Sequence, residues 1–257
     1  MKKFTRVMSL ILAILICAVC AVSCGNKSEN NESSKTYVIY SDNSFAPFEY
    51  YDESAKAYVG LDMDILAAIA EDQGFKYEMH NEGFDASMGA VQSGQADAMI
   101  AGMTIRPDRA ETFDFSDGYF DDGQIMVVAK DGDIDSLDDL KGKIVAAKTS
   151  TVSSEYCESI MDEYGFTIQY YEDSPTMYTA VINGTNACCF EDRSVVGWAI
   201  KQEGLALKTI GDVVNPGSYG FAVKKGQNPE LIEMFNKGLA NIKANGTYDK
   251  LLEKYGY

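Results

Sequence analysis

The apolar run Ala98–Ala101 stops at Gly102, and Thr104, Arg106 and Arg109 follow at once. A strand that ends in glycine and then offers a hydroxyl and cations is where α/β proteins hold anions, because backbone N–H groups and a guanidinium converge there. Pro107 separates the two arginines. It pushes Arg106 towards an extended conformation and sits where a helix would begin, which leaves Arg109 in the first turn, nearer the donors after Gly102. By residue chemistry alone, Arg109 is either an anion clamp with Thr104 or a surface partner of Glu111 or Asp114, with Arg106 on the surface.

Other chemistries are thinly represented. The 257-residue chain has one histidine, His80, before an Asn-Glu-Gly stretch, so neither a Ser/His triad nor a histidine metal cluster stands out. No metal or cofactor is expected. The formal charge of −17 argues against nucleic acid, whose phosphates would be repelled.

Residues 1–23 read as an export signal. Lys2, Lys3 and Arg6 precede the apolar stretch VMSLILAILICAVCAVS, which ends in small residues. Ala21-Val22-Ser23-Cys24-Gly25 is similar to a bacterial lipobox, with alanine where leucine is commonest; Val19 and Ile16 make Cys20 and Cys17 poorer acceptors. Lipid on Cys24 would hold the protein on the outer surface of the cytoplasmic membrane, with residues 24–35 as a flexible tether. Cys157, Cys188 and Cys189 then remain, either as small buried apolar residues or with Cys157 paired to one of the others; a bond between adjacent Cys188 and Cys189 would be strained.

The elements needed to position Arg109 recur twice. Strands are expected at 36–41, 75–80 and 96–102, alternating with helices at 61–73 and 85–94. The rhythm restarts with strands at 143–148, 166–172 and 186–191 and helices at 151–164 and within PTMYTAVINGT. Each half is βαβαβ, which implies a mostly parallel sheet flanked by helices, with ligand chemistry at the C-terminal strand ends. Asn215-Pro216-Gly217 is read as a break before a further strand at 218–225, and a C-terminal helical piece returns to the first half. The expected fold is α/β and two-lobed: 36–118 with 220–257 as lobe one, 119–219 as lobe two, and two crossover hinge strands near 119–123 and 215–219.

Five stretches carry a family resemblance: YSDNSFAPFEY (40–50), VGLDMDILAAIA (59–70), GQADAMIAGMTIRPDRAETFDFSDGYF (94–120), LDDLKGKIVAAKTST (137–151) and NGTYDKLLEKYG (245–256). In this order, behind a lipobox, they resemble the extracytoplasmic solute-binding proteins of polar amino-acid ABC importers, with a periplasmic-binding-protein-like fold. The resemblance implies a monomer that captures a free amino acid and presents it to a permease and its ATPase.

It also implies a site. Arg109 would grip the ligand carboxylate, with Thr104 and the backbone of Gly102 beside it, and Thr151 as a second contact. Phe45 and Phe84 would sandwich the apolar part of the ligand, and Asp42 would reach its side-chain end. Asp192 is the first choice for the ammonium and Glu191 the second, since this chain reads Asn186-Ala187-Cys188-Cys189-Phe190-Glu191-Asp192 where the family usually has an Ala-Asp-Ala type of strand; either could instead be an ordinary helix N-cap. In the loop Lys148–Val152, Lys148 and Thr151 match the family, whereas Ser150 and Val152 stand where many members have glycine. Two further readings use the same scaffold: a sensing module for a separate signalling partner, and a dehydratase-like enzyme with Glu191 or Asp42 as general acid.

Overall fold

The computed structural model describes residues 35–257. The export signal, Cys24 and all of the tether except Lys35 lie outside the described residues.

Two five-stranded sheets are built by the same rule. The first comprises β1 (Thr36–Ser41), β5 (Lys76–Asn81), β6 (Ala98–Met99), β7 (Phe113–Phe115) and β13 (Ala222–Lys224), in the order β5-β1-β6-β13-β7. The second comprises β8 (Phe120–Ala129), β9 (Ile144–Lys148), β10 (Thr167–Tyr171), β11 (Cys188–Asp192) and β12 (Leu207–Tyr219), in the order β10-β9-β11-β8-β12. In each, an inner strand pairs in parallel with two neighbours, and the remaining strand pairs are antiparallel. β1 and β9 are therefore topological switch points, and the crevice beyond their C-terminal ends is where such sheets bind ligands.

Hydrophobic patterning explains the layers. In α1 (Leu61–Gln73), Leu61, Ile65, Leu66 and Ile69 fall on one face and are fully buried. Each such side chain contributes roughly 1.5–3 kcal/mol when taken from water. The helix stops at Gly74, whose φ of 73° is left-handed and whose N–H reaches Ala70 O. α6 (Pro229–Ala244) brings Phe235 and Leu239 into the same core, so the C-terminal piece does return to the first sheet. The other helices are α2 (Phe84–Ser93), α3 (Val152–Tyr164), α4 (Ser174–Ile182), α5 (Arg193–Trp198) and α7 (Thr247–Tyr255).

Three features depart from the sequence reading. A small antiparallel sheet, β2 (Ser44–Phe45), β3 (Glu49–Asp52) and β4 (Ala57–Val59), follows β1. The third strand expected at 96–102 is reduced to Ala98–Met99. The expected strand at 218–225 is split, because β12 runs straight through Asn215-Pro216-Gly217 and ends at Tyr219. β12 is an edge strand with register shifts on both sides of Val214, so proline costs it no inner ladder bond. The break falls at Gly220, where a Cβ would come within 2.7 Å of Ile105.

The chain crosses between sheets twice, at residues 116–119 and 220–221. Thr36–Tyr257 form one compact unit.

Candidate functional site

The C-terminal ends of both sheets face a common cavity lined by Asp42, Phe45, Phe84, Gly102, Thr104, Arg109, Lys148, Thr151, Glu191 and Asp192. Every ligand-site residue expected from the sequence is thus brought to one place. The cavity has about 30 Å³ of free space, room for little more than water.

Arg109 lies in a short 3-10 turn, Arg109–Glu111, and is 7% exposed. Its guanidinium donates to Thr104 O at 3.2 Å and, across the cleft, to Ser150 O at 3.2 Å. It forms no ion pair among the described residues. Burial and the neighbouring Arg106 push its pKa down, the direction expected of a cation lacking an anion. Arg106 is less idle than the sequence reading made it: its guanidinium pairs with Asp108 and, across the cleft, with Glu155 of α3.

The loop Lys148–Val152 shows how serine replaces glycine. Ser150 has φ of 61°, left-handed backbone that disfavours a side chain, and its hydroxyl donates across the cleft to Asp85. Thr151 is the N-cap of α3. Its hydroxyl accepts from Ser154 N–H at 3.2 Å and donates to Lys148 O at 2.7 Å, so it is committed to the cap, and the start of α3 at Val152 and Ser153 presents the positive helix end to the cavity.

Lys148 ends β9 and Asp42 follows β1, so the two switch-point strands meet through a buried ion pair, Nζ donating to Asp42 Oδ2. The ammonium lies 5.0 Å from the Phe45 ring centre and 6.0 Å from that of Phe84, inside the expected aromatic box. Burial works against its charge, but Asp42 and Glu191 outweigh burial and hold its pKa above the ordinary value. The Arg109 guanidinium carbon sits 5.6 Å over the Phe84 ring.

The two acids at the end of β11 differ. Glu191 accepts from Ser174 Oγ at 2.7 Å, Tyr178 Oη at 3.2 Å and Asp192 N–H at 3.0 Å. Asp192 occupies the N-cap position of α5, yet its side chain caps nothing. It accepts instead from Gln124 Nε2 and from Tyr219 Oη at 2.6 Å. Burial, with the charges of Glu191 and Asp122, raises the Asp192 carboxyl to about 7. Gln124 and Tyr219 were not expected here, since a lone Gln or Tyr in a strand carries no motif. Among the described residues, no group of three or more His, Cys, Asp or Glu side chains is arranged to hold a metal ion.

Residues 37–257 match the bacterial extracellular solute-binding proteins, family 3. The chain belongs to this family. Among family relatives, the arginine-binding extracellular protein ArtP of Bacillus subtilis is 30% identical, over 99% of this chain and 98% of ArtP. The glutamine-binding protein GlnH of the same organism is 29% identical, over 97% of each chain. An ancestral arginine-binding protein solved with arginine superposes with a TM-score of 0.80 at 36% identity, over 86% of this chain and 98% of that one. Substrate-binding domain 2 of Lactococcus lactis GlnP, in an open conformation, is more alike in sequence at 45% but less alike in shape, with a TM-score of 0.60 over 87% and 96% of the two chains. The better match to the ligand-bound structure accompanies the narrow cavity.

Proposed function

We propose that this solute-binding protein captures a free polar L-amino acid outside the cytoplasmic membrane, with glutamine as the first choice, and hands it to an ABC permease and its ATPase. The observation that carries this reading is the buried Arg109 guanidinium, which has two carbonyl partners and no carboxylate. A planar fork in that setting suits the α-carboxylate of a ligand. Asp192 faces it from the other sheet and retains acceptor capacity for the ammonium, so a zwitterion would bridge the two halves.

The side-chain end selects among amino acids. It would enter the box of Phe45 and Phe84, where Lys148 and Asp42 already meet. A second cation there would oppose Lys148. A neutral amide can donate to Asp42 and accept from Lys148 at once, which favours glutamine over arginine. Closure then follows from the ligand's contacts with both halves, hinged near 119–123 and 215–219 beside the two crossings. Lipid on Cys24 would keep this monomeric domain at the membrane, and Cys24→Ser would release it into the medium.

Calorimetric titration of the purified chain with glutamine, asparagine, arginine, histidine, glutamate and cystine tests the reading. Glutamine should bind with a Kd of about micromolar or tighter, as capture requires. Arginine binding tighter than glutamine would overturn the side-chain assignment, and binding of none would overturn the amino-acid reading.

A further inference from the structure

Below the aromatic box lie two acids that the binding scheme does not use. Glu49 opens β3 and Asp62 stands in the first turn of α1; both are 0% exposed. Asp62 Oδ2 accepts from Gly102 N–H at 2.9 Å and from Tyr119 Oη at 2.7 Å. Asp62 Oδ1 and both oxygens of Glu49 find no donor among the described residues. Three buried orphan acceptors on two interacting acids are costly, and two such buried carboxylates cannot both stay ionised.

The surroundings say which one keeps the charge. Asp62 has two donors and the positive end of α1. Glu49 has neither, and it faces Asp62, Asp42 and the phenol of Tyr119; the nearby Lys148 is already paired to Asp42. Burial first, then the charges of Asp62 and Asp42, push the Glu49 carboxyl well above its usual range.

We propose that Glu49 is protonated at neutral pH and donates its proton to Asp62 Oδ1, so that the two form a singly charged positioning unit for the ligand site. One proton satisfies the orphan oxygen of Asp62 and frees its other oxygen to hold Gly102. What depends on Gly102 is specific. Its φ is 53°, and a Cβ there would come 2.5 Å from the Phe45 ring and 3.4 Å from the Tyr219 ring. A shift of this backbone therefore displaces one wall of the aromatic box and the donor to Asp192 together. The proposal rests on the reading that these groups line the ligand site, but its first test does not.

That test is infrared spectroscopy of the full chain at neutral pH. A carboxylic-acid carbonyl band should be present and should lose intensity in Glu49→Gln. An unchanged band in Glu49→Gln would overturn the proposal whatever the protein binds. The second test is rescue. Glu49→Gln keeps an N–H for Asp62 and should hold the Kd for L-glutamine within about threefold, whereas Glu49→Leu, which leaves Asp62 Oδ1 unpaired, should weaken it by about tenfold or more or prevent folding. Equal loss in the two variants would overturn the positioning role. If wild type binds no glutamine, the glutamine reading fails, and the infrared band still decides the proton.

Discussion

Tyr219 keeps its ring in the core of the first sheet, against Phe48 and Phe120, while its hydroxyl donates to Asp192 at the end of the second. Tyr219 is also the last residue of β12, next to a crossing between the sheets. The acid proposed for the ligand ammonium is thus held by a residue of the proposed hinge segment 215–219.

A pH dependence follows from this. Asp192 ionises near 7 in the fold and near 3.9 in an unfolded chain, so between about pH 4 and 7 the folded state retains a proton that the unfolded state has lost. Stability without ligand should fall as pH rises through that window, with Asp62, raised to about 6 by burial, adding in the same direction. Affinity should run the opposite way, since only ionised Asp192 accepts the ammonium, and should drop by up to about tenfold per unit below pH 7. Tyr219→Phe removes a donor to the carboxylate and should move the midpoint of log Kd against pH upward by about one unit. A midpoint that stays in place would separate Tyr219 from the ammonium site.

Arg109→Ala should weaken amino-acid binding by about a hundredfold or more, measured by calorimetry. Arg109→Lys should recover little of it, because an ammonium lacks the planar fork. Recovery to near the wild-type Kd in Arg109→Lys would mean that the site needs only positive charge.

Cys157, Cys188 and Cys189 are free and buried, and burial pushes the Cys157 thiol up to about 12 and the other two in the same direction. Native protein should therefore leave all three unlabelled by maleimide at neutral pH, and urea should expose them, as peptide mass spectrometry would show. Labelling of Cys157 in the native state would contradict its burial against Phe190 and Cys188.

The twofold βαβαβ rhythm was legible because apolar periodicity is strong in central strands such as β9, where Val145, Ala146 and Ala147 are all buried. The small sheet β2-β3-β4 was not, since its strands are two to four residues long and leave Tyr51 and Tyr58 exposed. Pro216 misled because a local breaker says nothing about whether its strand lies at an edge. In the site, the convergence of Gly102, Thr104 and Arg109 on one cavity could be read from their spacing. The partnership of Lys148 with Asp42 and the hold of Tyr219 on Asp192 join residues 106 and 27 positions apart, and no local pattern encodes such distances.

Arg106 shows the same limit and yields the last prediction. Pro107 did separate it from Arg109, but its side chain turns to Glu155 across the mouth of the cleft, where Arg106 is 25% and Glu155 44% exposed. In the proposed closure such a pair would form as the halves meet, and at that exposure it is worth at most about 1 kcal/mol. Arg106→Ala should therefore weaken binding by no more than about fivefold, far less than Arg109→Ala, by lowering the closed population. Salt distinguishes this latch from a ligand contact, because screening acts on an exposed pair and little on a buried one. Raising ionic strength should weaken wild-type binding slightly and leave Arg106→Ala unaffected; equal salt dependence in both would show that the pair plays no part in closure.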